Sequence, residues 1–160
     1  QNQKILLRGQ YIDSTGSKKW GSKPLTVSKV NSNVINYSVG KLGNKIYAAI
    51  TYQGAHKIIY QHLISENGKL IWGGDGKLVT NQKGSQINPQ FAFVDSSVVV
   101  SWTNEFEKTK DVFIQRFDVN GNRLWGNNGR RIINIIIPGN HFQVYLIKPK
   151  IRSNLRIRAP

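Results

Sequence analysis

The sequence has no cysteine and no methionine among its 160 residues, and only eight of its residues are acidic. Without cysteine the chain can form neither a disulfide nor a thiolate metal site, and it has no thiol nucleophile. Eight carboxylates leave little material for a hydrolase, which brings carboxylates from different elements into one cleft. The histidines, His56, His62 and His141, have no second ligand at metal-binding spacing. We therefore expect no catalytic residue, no metal and no cofactor.

Long apolar runs are also missing. The longest, 132–137, is interrupted by Asn134 and is far too short to span a bilayer. No charged leader with an apolar core is visible, and Gln1 would suit the new N-terminus that signal-peptide removal leaves. We therefore expect an extracytoplasmic protein (secreted, periplasmic or at the cell surface) without a transmembrane segment.

Charge is strongly one-sided, with 23 Lys and Arg giving a net charge of +15. Such a balance attracts polyanions, but lysines scattered over a β protein also keep its edges unpaired and soluble. Because the lysines are scattered along the sequence, we favour a role in solubility, and we retain an anionic glycan as a candidate ligand. Nucleic acid is disfavoured because basic and aromatic residues are not interleaved as in known binding signatures. The candidate polyanion contacts form a basic tail after the last acidic residue: Lys148, Lys150, Arg152, Arg156 and Arg158.

Three segments share one pattern of Trp and Gly, and we call them the Trp-Gly segments. They are Gln10–Gly21, Gln61–Gly73 and Gln115–Gly126, and their tryptophans lie 52 and 53 residues apart. In each, one Gly precedes Trp by four residues and another follows it directly. The residues that share this spacing are Gly16, Trp20, Gly21, Gly68, Trp72, Gly73, Gly121, Trp125 and Gly126. We interpret them as structural, with each Trp filling the gap between neighbouring sheets and the glycines allowing close backbone approach.

A second landmark has the same period. Asn36 and Asn88 follow isoleucines, and Asn140 lies 52 residues beyond Asn88. Within the last full unit, apolar alternation predicts strands at Gln90–Val94, Ser97–Thr103, Val112–Phe117 and Arg123–Trp125, the last running toward 131–133. The predicted breaks are 95–96, 104–110 and 119–122. No segment has a convincing 3.6-residue apolar period, so little or no helix is expected.

These patterns predict an all-β chain of tandem four-stranded antiparallel sheets, about three in number. The predicted organisation is one domain over 1–160, with a half unit at 4–34, full units at 35–86 and 87–139, and a partial or divergent unit at 140–160. A four-stranded meander cannot bury both faces alone, so the units must stack or close into a ring.

The Trp-Gly segments resemble a family of bacterial secreted β-propeller repeats with the consensus Gln-x-(Leu/Ile)-Asp-x-x-Gly-x-x-x-Trp-Gly-x-x-Gly. The match is best over 115–129, good over 61–76 and looser over 10–21, where the last Gly is missing. The resemblance implies propeller blades with a permuted start, and no particular activity. Three blades are too few for a closed propeller. Further blades, oligomerisation or a covering partner would have to complete it.

The remaining short motifs do not indicate a catalytic or metal-binding site. Glu105, Glu107 and Asp111 share one predicted loop, which we interpret as solvated. The sequence 73–76 is interpreted as a turn, since it lacks the ligands of calcium and phosphate loops. Asp13 and Asp118 precede turn glycines and predict Asx turns without calcium.

The expected function is therefore a non-enzymatic binding or assembly module that mediates protein–protein interaction, including self-association. One alternative is a lectin-like module, in which Gln10, Gln61 and Gln115 would contact sugar at equivalent positions. The other is a fragment of a larger propeller enzyme.

Overall fold

The computed structural model describes residues 4–28 and 31–135, and this part of the chain is all-β, without a helix. Its strands form three antiparallel sheets, two of four strands and one of two. The strands are β1 (Arg8–Gly9), β2 (Leu25–Thr26), β3 (Val34–Leu42), β4 (Lys45–Tyr52), β5 (Ile58–Ile64), β6 (Lys77–Leu78), β7 (Ser85–Val94), β8 (Ser97–Phe106), β9 (Thr109–Phe117) and β10 (Arg130–Ile135). The predicted fold class is thus confirmed at the level of all-β antiparallel sheets. Within the described residues they form no closed barrel or propeller.

Each four-stranded sheet is a meander in which consecutive strands are neighbours. The first has the order β3-β4-β5-β6 and the second β7-β8-β9-β10, while β1 and β2 form the two-stranded sheet. Residues that accept a left-handed backbone stand at the tight turns. Gly43 has φ +59° between β3 and β4, and Asp95 has φ +53° between β7 and β8. Glycine meets no steric penalty there, and aspartate is one of the few other residues that adopts this conformation.

The sheets stack face to face, with the first four-stranded sheet in the middle. Alternate side chains of β4 enter different cores, because successive residues of a strand point to opposite faces. Tyr47 and Ala49 pack with the second four-stranded sheet, whereas Ala48 and Ile50 pack with the β1–β2 pair. Burial on both faces explains why this strand reads as an unbroken apolar run instead of an alternating one.

The second four-stranded sheet contributes the largest buried ring of the core. Trp102 is 1% exposed and stacks on Phe113 with ring centroids 5.8 Å apart. Val98, Val100 and Phe117 are also buried in this cluster. Removing such side chains from water stabilises the fold by about 1.5–3 kcal/mol each.

Several predicted boundaries in this sheet are wrong, and the strand predicted at Gln90–Val94 begins at Ser85. The predicted break 104–110 is mostly strand, because β8 continues to Phe106 and β9 begins at Thr109. Its polar residues pair across the strands, with Lys110 Nζ 3.0 Å from Glu105 Oε1. The predicted fourth strand at 123–125 makes one bridge, between Phe117 and Arg123, and the strand itself is β10.

The predicted unit 140–160 lies outside the described residues, as do the candidate polyanion contacts Lys148, Lys150, Arg152, Arg156 and Arg158. The described part of the chain contains no helix that is long and apolar enough to cross a membrane.

Candidate functional site

In the first and third Trp-Gly segments a side chain closes the turn that precedes the tryptophan. Asp13 Oδ1 accepts hydrogen bonds from the backbone N–H groups of Thr15 and Ser17, both at 2.9 Å. Asp118 Oδ1 does the same with Asn120 and Asn122, again at 2.9 Å. The Asx turns predicted at Asp13 and Asp118 are therefore confirmed. They need no calcium, because backbone donors satisfy the carboxylates.

Hydrogen bonds also set the charge of these two carboxyls. The Thr15 hydroxyl donates to Asp13 Oδ1 at 2.7 Å, and Lys19 Nζ lies 2.9 Å from Asp13 Oδ2. With the Ser17 N–H they hold the pKa of Asp13 well below its usual value. The Asn122 N–H and side-chain amide similarly lower the pKa of Asp118. Both carboxylates are thus anionic structural acceptors, since hydrogen bonds to the charged form stabilise it.

A glutamine completes the repeated hydrogen-bond pattern of the turn in the first and third segments. Gln115 Oε1 accepts from the N–H groups of Arg116 (3.1 Å) and Trp125 (3.0 Å), and its Nε2 donates to the Gly126 carbonyl at 2.7 Å. Gln10 makes the same three bonds within its own segment. These amides hold their own backbone, which leaves the sugar-contact interpretation of Gln10 and Gln115 without support.

In the middle segment the predicted position of this glutamine is wrong by one residue. The N–H of Ile71 donates to the Leu63 carbonyl, as that of Leu124 does to Arg116, so His62 corresponds to Gln115. Gln61 therefore points to the other face of β5. The offset arises because the middle segment has one more residue between Gln and the first Gly than the other two. His62 is buried in the strand, with Nε2 3.1 Å from the Tyr52 hydroxyl.

The tryptophans of the first two segments pack on the turn of the following segment. A Cβ built on Gly68 would lie 2.9 Å from Trp20 Cγ, and one built on Gly121 would lie 3.0 Å from Trp72 Cε2. The indole N–H of Trp20 donates to the Glu66 carbonyl at 2.9 Å. Trp20 and Trp72 thus pack between neighbouring sheets, but the glycine that each meets belongs to the following segment. The close approach predicted at the glycines that directly follow a tryptophan is wrong, since no described atom lies within 4 Å of a Cβ built on Gly21, Gly73 or Gly126.

The turn of the first segment and the tryptophan of the third segment make no such contact with the described residues. Among the described residues nothing lies within 4 Å of a Cβ built on Gly16, although its φ of +83° matches that of Gly68. At the opposite end, Trp125 has Arg130 over its ring at 5.5 Å and contacts no turn glycine of the described residues.

An exposed apolar face lies on β3, on the side of the β1–β2 pair. Ile35 is 42%, Tyr37 53% and Val39 55% exposed. We call these three residues the β3 face. Tyr37 and Val39 line a groove of about 240 Å³ that also contains residues of β1 and Trp20.

The corresponding face of the second four-stranded sheet is covered. Val39 pairs with Ala48 as Phe91 pairs with Val100, so Val39 and Phe91 occupy the same place in their sheets. Phe91 and Phe93 lie against the preceding sheet, 6.2 and 5.5 Å from the Tyr47 ring. The β3 face has only two strands opposite it, β1 and β2, and β1 pairs on one side alone within the described residues.

The other candidate groups do not converge. Glu105 pairs with Lys110, and Asp111 Oδ2 lies 3.6 Å from Arg131, so these two carboxylates of the predicted loop have separate partners. Glu107 lies in the β8–β9 turn. No group of three His, Asp or Glu able to hold a metal occurs in the part of the chain that the structure describes. His56 is exposed in a loop, and His141 lies outside the described residues.

Sequence reasoning missed the β3 face, although a signal for it was present. Ile35, Tyr37 and Val39 alternate with small or polar residues, and that second set faces Phe91 and Phe93. The bulky side chains of β3 thus point away from the second four-stranded sheet.

No protein-family model and no curated protein matches this sequence.

Proposed function

We propose that this chain is a non-enzymatic, extracytoplasmic β-propeller-type module that binds another protein chain and assembles with it. The single observation that carries the proposal is the β3 face, three apolar side chains exposed beside the β1 edge. Exposed apolar surface next to a strand without a second neighbour is a site for β-strand addition, because main-chain hydrogen bonds and apolar burial then act together.

The β1–β2 pair corresponds to the last two strands of a four-stranded sheet. Gly9 pairs with Leu25 as Gln61 pairs with Lys77, which places β1 at the position of β5 and β2 at that of β6. Within residues 4–28 and 31–135, no strand occupies the first two positions of this sheet, which would lie over the β3 face. A partner that supplies strands there converts the pair into a third four-stranded sheet.

The propeller assignment is supported by the stacking of the sheets and by the Trp-Gly contacts between them. The two complete sheets and the pair that the described residues form are fewer than the four to eight blades of known propellers. The proposed partner therefore contributes further sheets as well as the two strands beside β1.

The location outside the cytoplasm rests on the resemblance to secreted repeats. The non-enzymatic role rests on carboxylates that are individually paired. Origin in a larger propeller enzyme remains an alternative, for which hydrolase screening of the full-length gene product is the test. A lectin-like role is disfavoured, because the amides of Gln10 and Gln115 bond the backbone of their own segments.

The test is the mass in solution as a function of concentration, measured by sedimentation or light scattering. The wild-type chain should exceed its monomer mass of 18.1 kDa as concentration rises. Val39→Lys should raise the midpoint of association at least tenfold, because it places a charge on the β3 face. Val119→Lys is the matched control, since Val119 is similarly exposed (47%) but lies in a turn. Equal behaviour of the two variants, or a wild type that stays monomeric, would contradict the proposal.

A further inference from the structure

We infer that the partner is a second copy of this chain, held head to tail, with Trp125 of one copy packed on the Asp13–Gly16 turn of the next. The inference rests on the proposed function and adds to it the identity of the partner and the contact that orders the copies.

The contact is one the chain already makes twice within itself. Trp20 covers the Gly68 turn and Trp72 covers the Gly121 turn. In both cases the ring lies where a Cβ would otherwise stand, so the turn must present glycine. Within the described residues, Trp125 packs on no turn glycine, and no tryptophan packs on the Gly16 turn.

The unused turn has the same shape as the used ones. The N–H of Gly16 donates to the Asp13 carbonyl at 3.0 Å, as that of Gly121 does to Asp118 at the same distance. The φ angles of Gly16 and Gly68 are +83° and +82°. A ring that fits the Gly68 turn therefore fits the Gly16 turn.

The correspondence between the turns also predicts a hydrogen bond for the Trp125 ring when it packs on the Gly16 turn. Trp20 Nε1 donates to the carbonyl of Glu66, the residue that follows Ser65 in its turn. The residue at that place in the first turn is Ser14, whose carbonyl would accept the indole N–H of Trp125 from the neighbouring copy. Burying the indole with its N–H satisfied favours association, because tryptophan supplies a large apolar area together with one donor.

The two halves of this contact lie on different parts of the chain, so the interface is heterologous. Such contacts build closed rings when the rotation per copy closes, and open filaments when it does not.

The experiment uses two full-length variants that each lose one half of the contact. Trp125→Ala removes the ring, and Gly16→Asn places a Cβ where the ring would lie while keeping a residue that accepts φ > 0. Gly73→Asn is the matched control. It imposes the same kind of backbone strain at φ +75°, but no atom lies within 4 Å of a Cβ at that position.

Each variant alone should be monomeric at concentrations where the wild type and Gly73→Asn associate. An equimolar mixture of Trp125→Ala and Gly16→Asn should give a 1:1 dimer and nothing larger, because one intact ring and one intact turn remain. This recovery also shows that both variants are folded.

Other outcomes separate the inference from the proposed function. If both variants associate like the wild type while Val39→Lys does not, the Trp125 contact is wrong and the proposed function stands. If the single variants are monomeric and their mixture stays monomeric, the head-to-tail contact is overturned. A wild type that is monomeric throughout overturns both proposals.

Discussion

The side-chain amide of Asn36 donates a hydrogen bond to Oδ1 of Asn88 at 3.1 Å. The two residues stand 52 positions apart in the sequence and touch across the interface between β3 and β7. Both lie where the pairing of their strand is irregular, at the shifts 34–36 and 87–90. Asn88 also has φ +54°, in the left-handed region. The recurring asparagine thus joins the two four-stranded sheets and permits an irregular backbone.

Substitutions at Asn88 should separate these two roles. Asn88→Gly removes the hydrogen bond, worth about 1 kcal/mol, and keeps the backbone conformation accessible. Asn88→Ala should cost roughly 1 kcal/mol more than Asn88→Gly, because a Cβ disfavours the left-handed region by about 1–2 kcal/mol, partly offset by the greater flexibility of unfolded glycine. Urea denaturation of both variants measures the difference. An alanine variant as stable as the glycine variant would contradict the role of the φ angle.

Close packing between the sheets should make Gly40 intolerant of a methyl group. A Cβ at Gly40 would lie 2.6 Å from the Phe93 ring. Gly40→Ala should therefore lower the free energy of unfolding by about 1–3 kcal/mol, the usual cost of overpacking. Gly74→Ala is the control, since no atom lies within 4 Å of a Cβ there and its φ is not positive.

A double variant should identify the source of that cost. In a Phe93→Leu background, Gly40→Ala should be less destabilising than in the wild type, because the smaller side chain leaves room for the methyl group. Strictly additive free energies in this cycle would show that Phe93 is not what excludes a side chain at Gly40.

Features that depend on contacts between residues close in the sequence were predicted correctly. The turn carboxylates Asp13 and Asp118 bond backbone groups two and four residues away, so sequence spacing was sufficient to predict them. The all-β class followed from alternation, whereas the spacing of Trp20 and Trp72 did not show that each packs on the turn glycine of the following segment.

The predictions that were wrong concern residues whose environment is set by neighbouring strands. Residues 104–106 look like a polar loop, yet Glu105 pairs with Lys110 on the adjacent strand, which the linear sequence does not show. The middle segment has one extra residue before its first glycine, so sequence spacing pairs Gln61 with Gln115, whereas the backbone hydrogen bonds place His62 at that position. Exposure of Val39 depends on how many strands stand opposite it, a property of the assembled sheets.

Stability should fall in acid through the turn carboxylates. The folded-state pKa of Asp13 is depressed, so its stabilising effect is present at neutral pH and is lost as pH falls below the usual carboxyl value of 3.8 toward the lower folded value. Asp13→Asn should therefore unfold with a flatter pH dependence below pH 4 than the wild type, and adding Asp118→Asn should flatten it further. Thermal unfolding between pH 2 and 7 measures these slopes. Superimposable wild-type and double-variant profiles would rule out this linkage.

The buried glutamine of the third segment should be among the most sensitive polar residues of the fold. Gln115 is fully buried and serves two backbone donors and one carbonyl, so Gln115→Leu leaves three groups without a partner. At about 1–3 kcal/mol for a buried unsatisfied group, we expect a loss of at least about 2 kcal/mol in the free energy of unfolding. Gln10→Leu removes the same three bonds but should cost less, because Gln10 is half-buried and water can replace the amide. Gln90→Leu, at an exposed position of β7, is the control for the change in polarity. Equal costs for Gln115→Leu and Gln90→Leu in urea denaturation would show that the amide does not hold the Trp125 turn in place.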